Sequence, residues 1–130
     1  MDLSDALYAH LIRDITLSAL VGTRIYPIAR PQEAELPAVV YRLSGTNRDY
    51  VQQGWTGRSY PIYQLHVHAS SYSSGRDVAA AIAASLLAFQ GGEALTCPRS
   101  YAEMGAEGYI PELLEFRFDV MAEFEIQEVV

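Results

Sequence analysis

The sequence predicts an α+β domain in which two helices pack on one face of a mostly antiparallel sheet that ends in a long C-terminal strand. Three observations carry this prediction. Residues 3–20 and 74–90 repeat apolar side chains every three or four positions, the period of an amphipathic helix. Residues 37–44 and 60–69 alternate apolar and polar positions, the period of a half-buried strand. The third is residues 113–126, LLEFRFDVMAEFEI. Its even positions read Leu114, Phe116, Phe118, Val120, Ala122, Phe124 and Ile126, and its odd positions Leu113, Glu115, Arg117, Asp119, Met121, Glu123 and Glu125. Such a strand reaches on the order of 45 Å at about 3.3 Å per residue, with one apolar face and one mostly acidic face. At 130 residues the natural unit is one domain over 1–130. A domain of that size buries roughly two thirds of its unfolded surface without staples.

In chain order, Leu3, Leu7, Leu11 and Ile15, with Ile12 and Leu20 beside them, give the first helix its stripe. Asp2 or Ser4 serves as its cap and Gly22 as its stop. Residues 24–28 form a short extended piece closed by Pro27, and Pro31 and Pro37 bracket a loop with Glu33 and Glu35. In PAVVYRLS, Val39, Tyr41 and Leu43 share a strand face. Residues 45–59, with three glycines and little periodicity, read as a long loop or a glycine-broken hairpin, and loops of that length are usually functional. Tyr63, Leu65, Val67 and Ala69 then share one face of the next strand, with Ile62, Gln64, His66 and His68 opposite. Ser74 and Asp77 make a variant capping box for the second helix. Val78, Ile82, Leu86 and Phe89 are its core stripe, and Gly91 and Gly92 its stop. A short strand is expected near 94–97 and a turn-rich loop over RSYAEMGAEGYIPE, before the terminal strand.

Composition excludes several functions. A net charge of −7 opposes nucleic-acid binding as the main role, because phosphate neutralisation needs a basic surface. The single Cys97 excludes a disulfide framework or a multi-cysteine zinc site. The first twenty residues carry Asp2, Asp5, Arg13 and Asp14, which interrupt any secretory apolar region. The apolar run 78–89 is too short to span a bilayer, so no membrane partner is expected.

No catalytic or cofactor motif stands out. His66 and His68 project from one strand face as metal ligands can, but a zinc site needs three or four ligands, and the remaining histidine, His10, has no evident link to them. Two polar residues on an exposed or subunit-facing strand are the better reading. No serine sits in G-x-S-x-G, and Cys97 beside Pro98 reads as a small core residue. Gly54-Trp55-Thr56-Gly57 precedes a strand rather than a helix, the wrong context for a phosphate cradle. Glu115, Asp119, Glu123 and Glu125 are strung along a strand, too far apart to converge on one cation. Catalytic residues, cofactor sites and metal sites are therefore all expected to be none, and the chain is expected not to be an enzyme.

Charge is unevenly placed. From Glu103 onward there are eight acids and one arginine, whereas 24–58 hold five arginines and three acids. With no lysine, guanidinium is the sole fixed cation, suited to bidentate carboxylate pairing. The bland reading of the acidic strand is a solvated face. The sharper one joins the two patches head to tail between copies, which closes a ring when repeated about an axis.

LVGTRIYP (20–27), LPAVVYRLSG (36–45) and the strand running into a helix at YPIYQLHVHASSYSSGRDVAAAIAASL (60–86) resemble the tail-completion, or tail-terminator, proteins of long-tailed bacteriophages and prophages. With the opening helix and terminal strand, the resemblance spans nearly the whole chain. It implies a neck protein that forms a hexameric ring on the head-proximal end of the tail tube, stops tube polymerisation and joins the tail to the head connector or stopper. Its implied partners are further copies of itself, the tail-tube protein and the head-side protein, with DNA only passing through the lumen. Its implied place is the virion, assembled in the host cytoplasm. By analogy with tube subunits, residues 45–59 reach a neighbour or the tube, with Tyr50 and Trp55 as anchors and Arg48 and Arg58 as charged contacts. Glu115, Asp119, Glu123 and Glu125 then face an adjacent subunit or line the lumen. The rival readings are another neck component (head-completion or stopper), a tail-tube subunit, and a small cytoplasmic protein-binding domain.

Overall fold

The computed structural model describes residues 3–31, 33, 35–52, 54–91 and 95–128. It has the α+β architecture read from the sequence. The elements are α1 (Leu3–Arg13), α2 (Ile15–Val21), β1 (Ile25–Pro27), β2 (Ala38–Val51), β3 (Gly54–Ala69), α3 (Tyr72–Leu87), β4 (Leu95–Ile110) and β5 (Glu115–Glu128). The strands form one sheet in the order β1-β2-β3-β5-β4, antiparallel except for the β1–β2 pair. β5 therefore lies between β3 and β4.

Strand residues paired across a ladder project to the same face, so the register says what each face carries. Tyr41↔Leu65, Leu65↔Val120 and Val67↔Phe118 place the apolar sets of β2, β3 and β5 together. All three helices cover that side. α1 reaches it through Tyr8 against Tyr41, with ring centroids 6.4 Å apart, and through a 2.6 Å hydrogen bond between Ser4 Oγ and the Tyr63 hydroxyl. α3 lies so close that a Cβ on Gly75 would come within 2.3 Å of the Phe118 ring, so only glycine fits at that crossing. His10 Nε2 donates to the Ser85 carbonyl at 2.8 Å and its ring meets Phe89 edge-on, tying α1 to the end of α3. Phe118, Val120, Ala122, Phe124 and Ile126 are all buried, which is the apolar face expected of the terminal strand.

Three expectations are corrected and one open choice is resolved. The single helix over 3–20 is two, because Asp14 leaves the helical conformation and caps α2, its carboxylate accepting from Leu17 N at 2.8 Å. The break rephases the stripe, so Leu17 and Val21 enter the core while Ile15 stands 87% exposed. Gly22 ends α2 at φ 60, as expected. α3 begins earlier than Ser74: Ser71 is its cap, accepting from Ser74 N. It also ends earlier, at Leu87, capped at Ala88 before the two glycines. The segment read as a loop over 99–112 is mostly strand, since β4 runs unbroken to Ile110. Finally, 45–59 takes its hairpin reading: β2 and β3 pair up to Val51↔Gly54, with register shifts at Leu43/Gly45 and Arg48/Tyr50. Gly54, at φ 118, occupies a backbone conformation closed to side-chain-bearing residues at the turn.

Candidate assembly surface

Three features lie outside the core: a projecting ribbon, a charged sheet face and an apolar end. The ribbon follows from unequal ladders. β5 pairs with β3 as far as Arg58↔Gln127. Beyond that rung β2 and β3 continue together through Tyr50↔Trp55 to the turn. An unsupported two-stranded ribbon is marginal in water. Arg48 and Arg58 are exposed at its base. Tyr50 and Trp55 face each other by backbone register, and their side chains lie outside the described residues.

The outer sheet face is not the uniformly acidic strip suggested by β5 alone. Glu115 is only 5% exposed, and both its oxygens take Arg30 Nη2, one of them at 2.6 Å. Arg30 follows β1 at the far edge of the sheet, so its loop crosses the outer face to reach β5. A charge buried this deeply needs such a partner, and one guanidinium nitrogen shared between both carboxylate oxygens supplies it. Next along β5, Asp119 Oδ1 accepts from Arg117 Nε at 3.2 Å and lies 2.6 Å from His66 Nδ1. Arg117 Nη2 also lies 3.0 Å from His66 Nδ1. One nitrogen cannot donate to the carboxylate and accept from the guanidinium, and the shorter contact assigns the proton to Nδ1. Further along, Glu125 sits between Arg58 Nε at 3.5 Å and Arg99 Nε at 3.6 Å. Glu123 is exposed.

Of the four carboxylates singled out in the sequence, three are thus paired within the chain and one faces solvent. The arginine-rich half and the acidic strand meet inside one molecule, through Arg30 with Glu115 and Arg58 with Glu125. Sequence reasoning placed His66 and His68 on this face without their partners and missed Arg30 and Arg99 as members of it. A separation of 85 residues left no local signal for Arg30 with Glu115, whereas Arg117 and Asp119, two apart on one strand, were legible as same-face neighbours.

His68 closes the network. Its Nδ1 lies 3.8 Å from Glu115 Oε2, too far to hydrogen-bond, and makes no hydrogen bond among the described residues. Burial depresses its pKa below the ordinary value, and Arg30, Arg117 and His66 push the same way against Glu115. The His66/His68 pair thus faces arginines and carboxylates, and among the described residues no three His, Cys, Asp or Glu side chains are grouped to share a metal ion. Cys97 is buried, and desolvation raises its thiol pKa to about 11, the state of an inert core thiol. Among the described residues no helix is long and apolar enough to cross a membrane.

The third feature is apolar. Beside the start of α3, Tyr72 packs on Phe118 at 5.4 Å and Phe116 at 6.1 Å, and Tyr109 on Phe116 at 4.8 Å. Leu113 and Leu114 in the β4–β5 turn are 57% and 71% exposed.

A family model described as tail completion protein gp17 matches residues 5–95. The fold is similar to that of a chain in a solved structure titled "Virion of native gene transfer agent (GTA) particle", with a TM-score of 0.74 and 18% identity over 96% of this chain and 94% of that one. No curated protein sequence matches the chain.

Proposed function

The chain belongs to the tail completion protein gp17 family, and from that premise we propose that it is the tail terminator of a long-tailed phage or prophage. In this reading copies assemble in the host cytoplasm into a ring, six around the axis, on the head-proximal end of the tail tube. The ring stops tube growth and offers its far side, in the neck, to the head connector or stopper. The carrying observation is the family match, which runs from α1 through the β2–β3 ribbon and α3 to the first residue of β4. The geometry agrees with an assembly role. The ribbon projects past its own sheet, and the exposed chemistry consists of ion pairs and apolar patches suited to protein contacts.

The test is electron microscopy of lysates of the parent phage or prophage with this gene deleted. Full heads beside unjoined, overlong tails are the expected result. Unattached tails of normal length would move the chain to a connector-side role, and intact infectious particles would end the reading. A tube subunit, by contrast, would polymerise into long tubes on its own. Within the ring, Glu123 separates two placements of the outer face. Glu123→Arg blocks ring formation if the face meets a neighbouring subunit, and leaves rings intact if it lines a lumen whose acidity keeps DNA sliding.

A further inference from the structure

We infer that residues 28–31 form an acid-released strap: a proton on His68 Nδ1 displaces the Arg30 guanidinium from Glu115 and frees the segment from the outer face of the sheet. The device is a property of the free chain and does not depend on the assembly reading above.

The path of the strap follows from the register. β1 pairs Pro27 with Tyr41, whereas Glu115 lies past the Ala38↔His68 and His68↔Arg117 rungs. The strap therefore doubles back over Val40 and Ala38 for Arg30 to reach β5. Ala38, Val40 and Glu115 are 0%, 5% and 5% exposed on a face that none of the three helices covers. Arg42, further along β2 on the same face, is exposed.

The strap leaves the sheet through a strained turn. Ile28 N donates to the Tyr41 carbonyl at 2.9 Å, and Ala29 N to the Pro27 carbonyl at 2.7 Å. This three-residue turn holds Ile28, a β-branched residue 74% exposed, at φ 67, the rare and strained form of such turns. Beyond Ala29, the pair of Arg30 with Glu115 is what ties residues 30 and 31 down by hydrogen bond or ion pair among the described residues. One clasp thus holds a segment whose hinge opposes it.

His68 sits against that clasp. Its Nδ1 lies 3.8 Å from Glu115 Oε2, the oxygen that Arg30 Nη2 contacts at 2.6 Å. In the neutral ring this nitrogen makes no hydrogen bond among the described residues. Protonated, it becomes a charged donor beside an oxygen already in use. Two guanidiniums, Arg30 and Arg117, face two carboxylates, Glu115 and Asp119, so a proton on His68 leaves three cations to two anions. Arg117 is fixed on β5, where its Nε holds Asp119 at 3.2 Å, while Arg30 hangs on the strap. The cation that leaves is therefore Arg30.

The remaining neighbours do not restore the balance. His66 on β3 is held by Asp119, and β1 and β2 bring Tyr26, Ala38 and Val40. On β4, Ile110 and Gly108 oppose Glu115 and Arg117, and Glu107 borders Arg117 and Asp119. Glu33 and Glu35 stand exposed beyond the strap, Glu35 at 4.0 Å from Arg24. Burial, and after it Arg30, lower the His68 pKa, so by linkage the proton favours the strap's departure. The strap is closed above pH 6.5 and opens as pH falls toward the lowered folded value.

The test is NMR of the full-length chain between about pH 7.5 and 5, above the ordinary carboxylate range. Ring-nitrogen signals follow His68, the Arg30 Nε–H signal follows the clasp, and exchange protection of the Ile28 and Ala29 amides follows the turn. Protection there is expected to drop about tenfold or more, and Arg30 to shift, at the His68 midpoint, while the Leu65 and Val120 amides keep theirs. His68→Gln stays closed throughout, and Arg30→Met with Glu115→Leu shows no step. Arg30 signals that hold still while His68 protonates overturn the inference. So does a His68 that stays neutral to the end of the range, or an equal step in His68→Gln.

Discussion

The two faces of the sheet solve different problems with the same strands. Toward the helices, Tyr63↔Ala122, Leu65↔Val120 and Val67↔Phe118 are buried apolar pairs. One residue out of step, His66↔Asp119 and His68↔Arg117 fill the opposite face with charge. Burying apolar area contributes roughly 25 cal/mol per Å², whereas ion pairs nearly balance their own desolvation. The inner face therefore supplies stability, and the outer face supplies constraint: it penalises a missing partner far more than it rewards a present one.

Four measurements break or sharpen that contrast. The largest effect is expected inside. Phe118→Ala removes a fully buried ring beneath α3 and costs about 3–5 kcal/mol in denaturant unfolding. A loss below about 1 kcal/mol would mean that α3 does not depend on the ring it crosses. Next comes Arg30→Ala, which strands a buried Glu115 and costs about 3 kcal/mol. The paired replacement Arg30→Met with Glu115→Leu restores most of that loss, because an apolar pair leaves no buried charge. Failure of the restoration would make the ion pair a net source of stability rather than a constraint.

A smaller effect separates the faces by pH. His68 has its pKa lowered in the folded state, so its neutral form is favoured there while the unfolded chain protonates near the ordinary histidine value of 6.5. Stability is therefore unaffected well above pH 6.5, falls as pH drops through the interval between 6.5 and the lowered folded value, and levels off below it. Urea midpoints show this decline above the range where carboxylates protonate, and His68→Gln flattens it. An unchanged slope in the variant assigns the decline to other groups. The smallest effect is at Glu123, exposed and without an ion pair among the described residues. Glu123→Arg shifts the isolated chain's stability by less than about 0.5 kcal/mol, so any assembly defect it causes is a matter of contact and not of folding.

The inner face was legible because burial on one side imposes a period. The β5 alternation, the α3 stripe and the Gly22 stop could each be read from residues alone. The rest hid for physical reasons. Asp14 inside an apolar stripe looks like a solvated helix residue, and only its hydrogen bond to Leu17 N marks it as a cap. β4 carried no readable alternation because residues 103–109 are exposed on both faces, at the sheet edge and beyond the helices. The outer face depended on partners far apart in the chain. Arg30 reads as a loop cation until the fold carries it across the sheet. The proposed contact residues on the ribbon came from loop composition and from the family resemblance, since glycines and register shifts leave no clear period there.

The strand order has a consequence for synthesis. β5 is interior in space yet follows every other element in the chain, so a nascent polypeptide emerges with β3 and β4 already made and the place between them empty. Until residues 116–126 leave the ribosome, the helices have no Phe118, Val120 or Phe124 to close upon, and two strand edges stay open to misdirected pairing. Closure of the core thus waits for β5. A chain arrested at residue 114 would be an aggregation-prone intermediate rather than a smaller working part, and a cell making many copies would have reason to hold that intermediate on a chaperone.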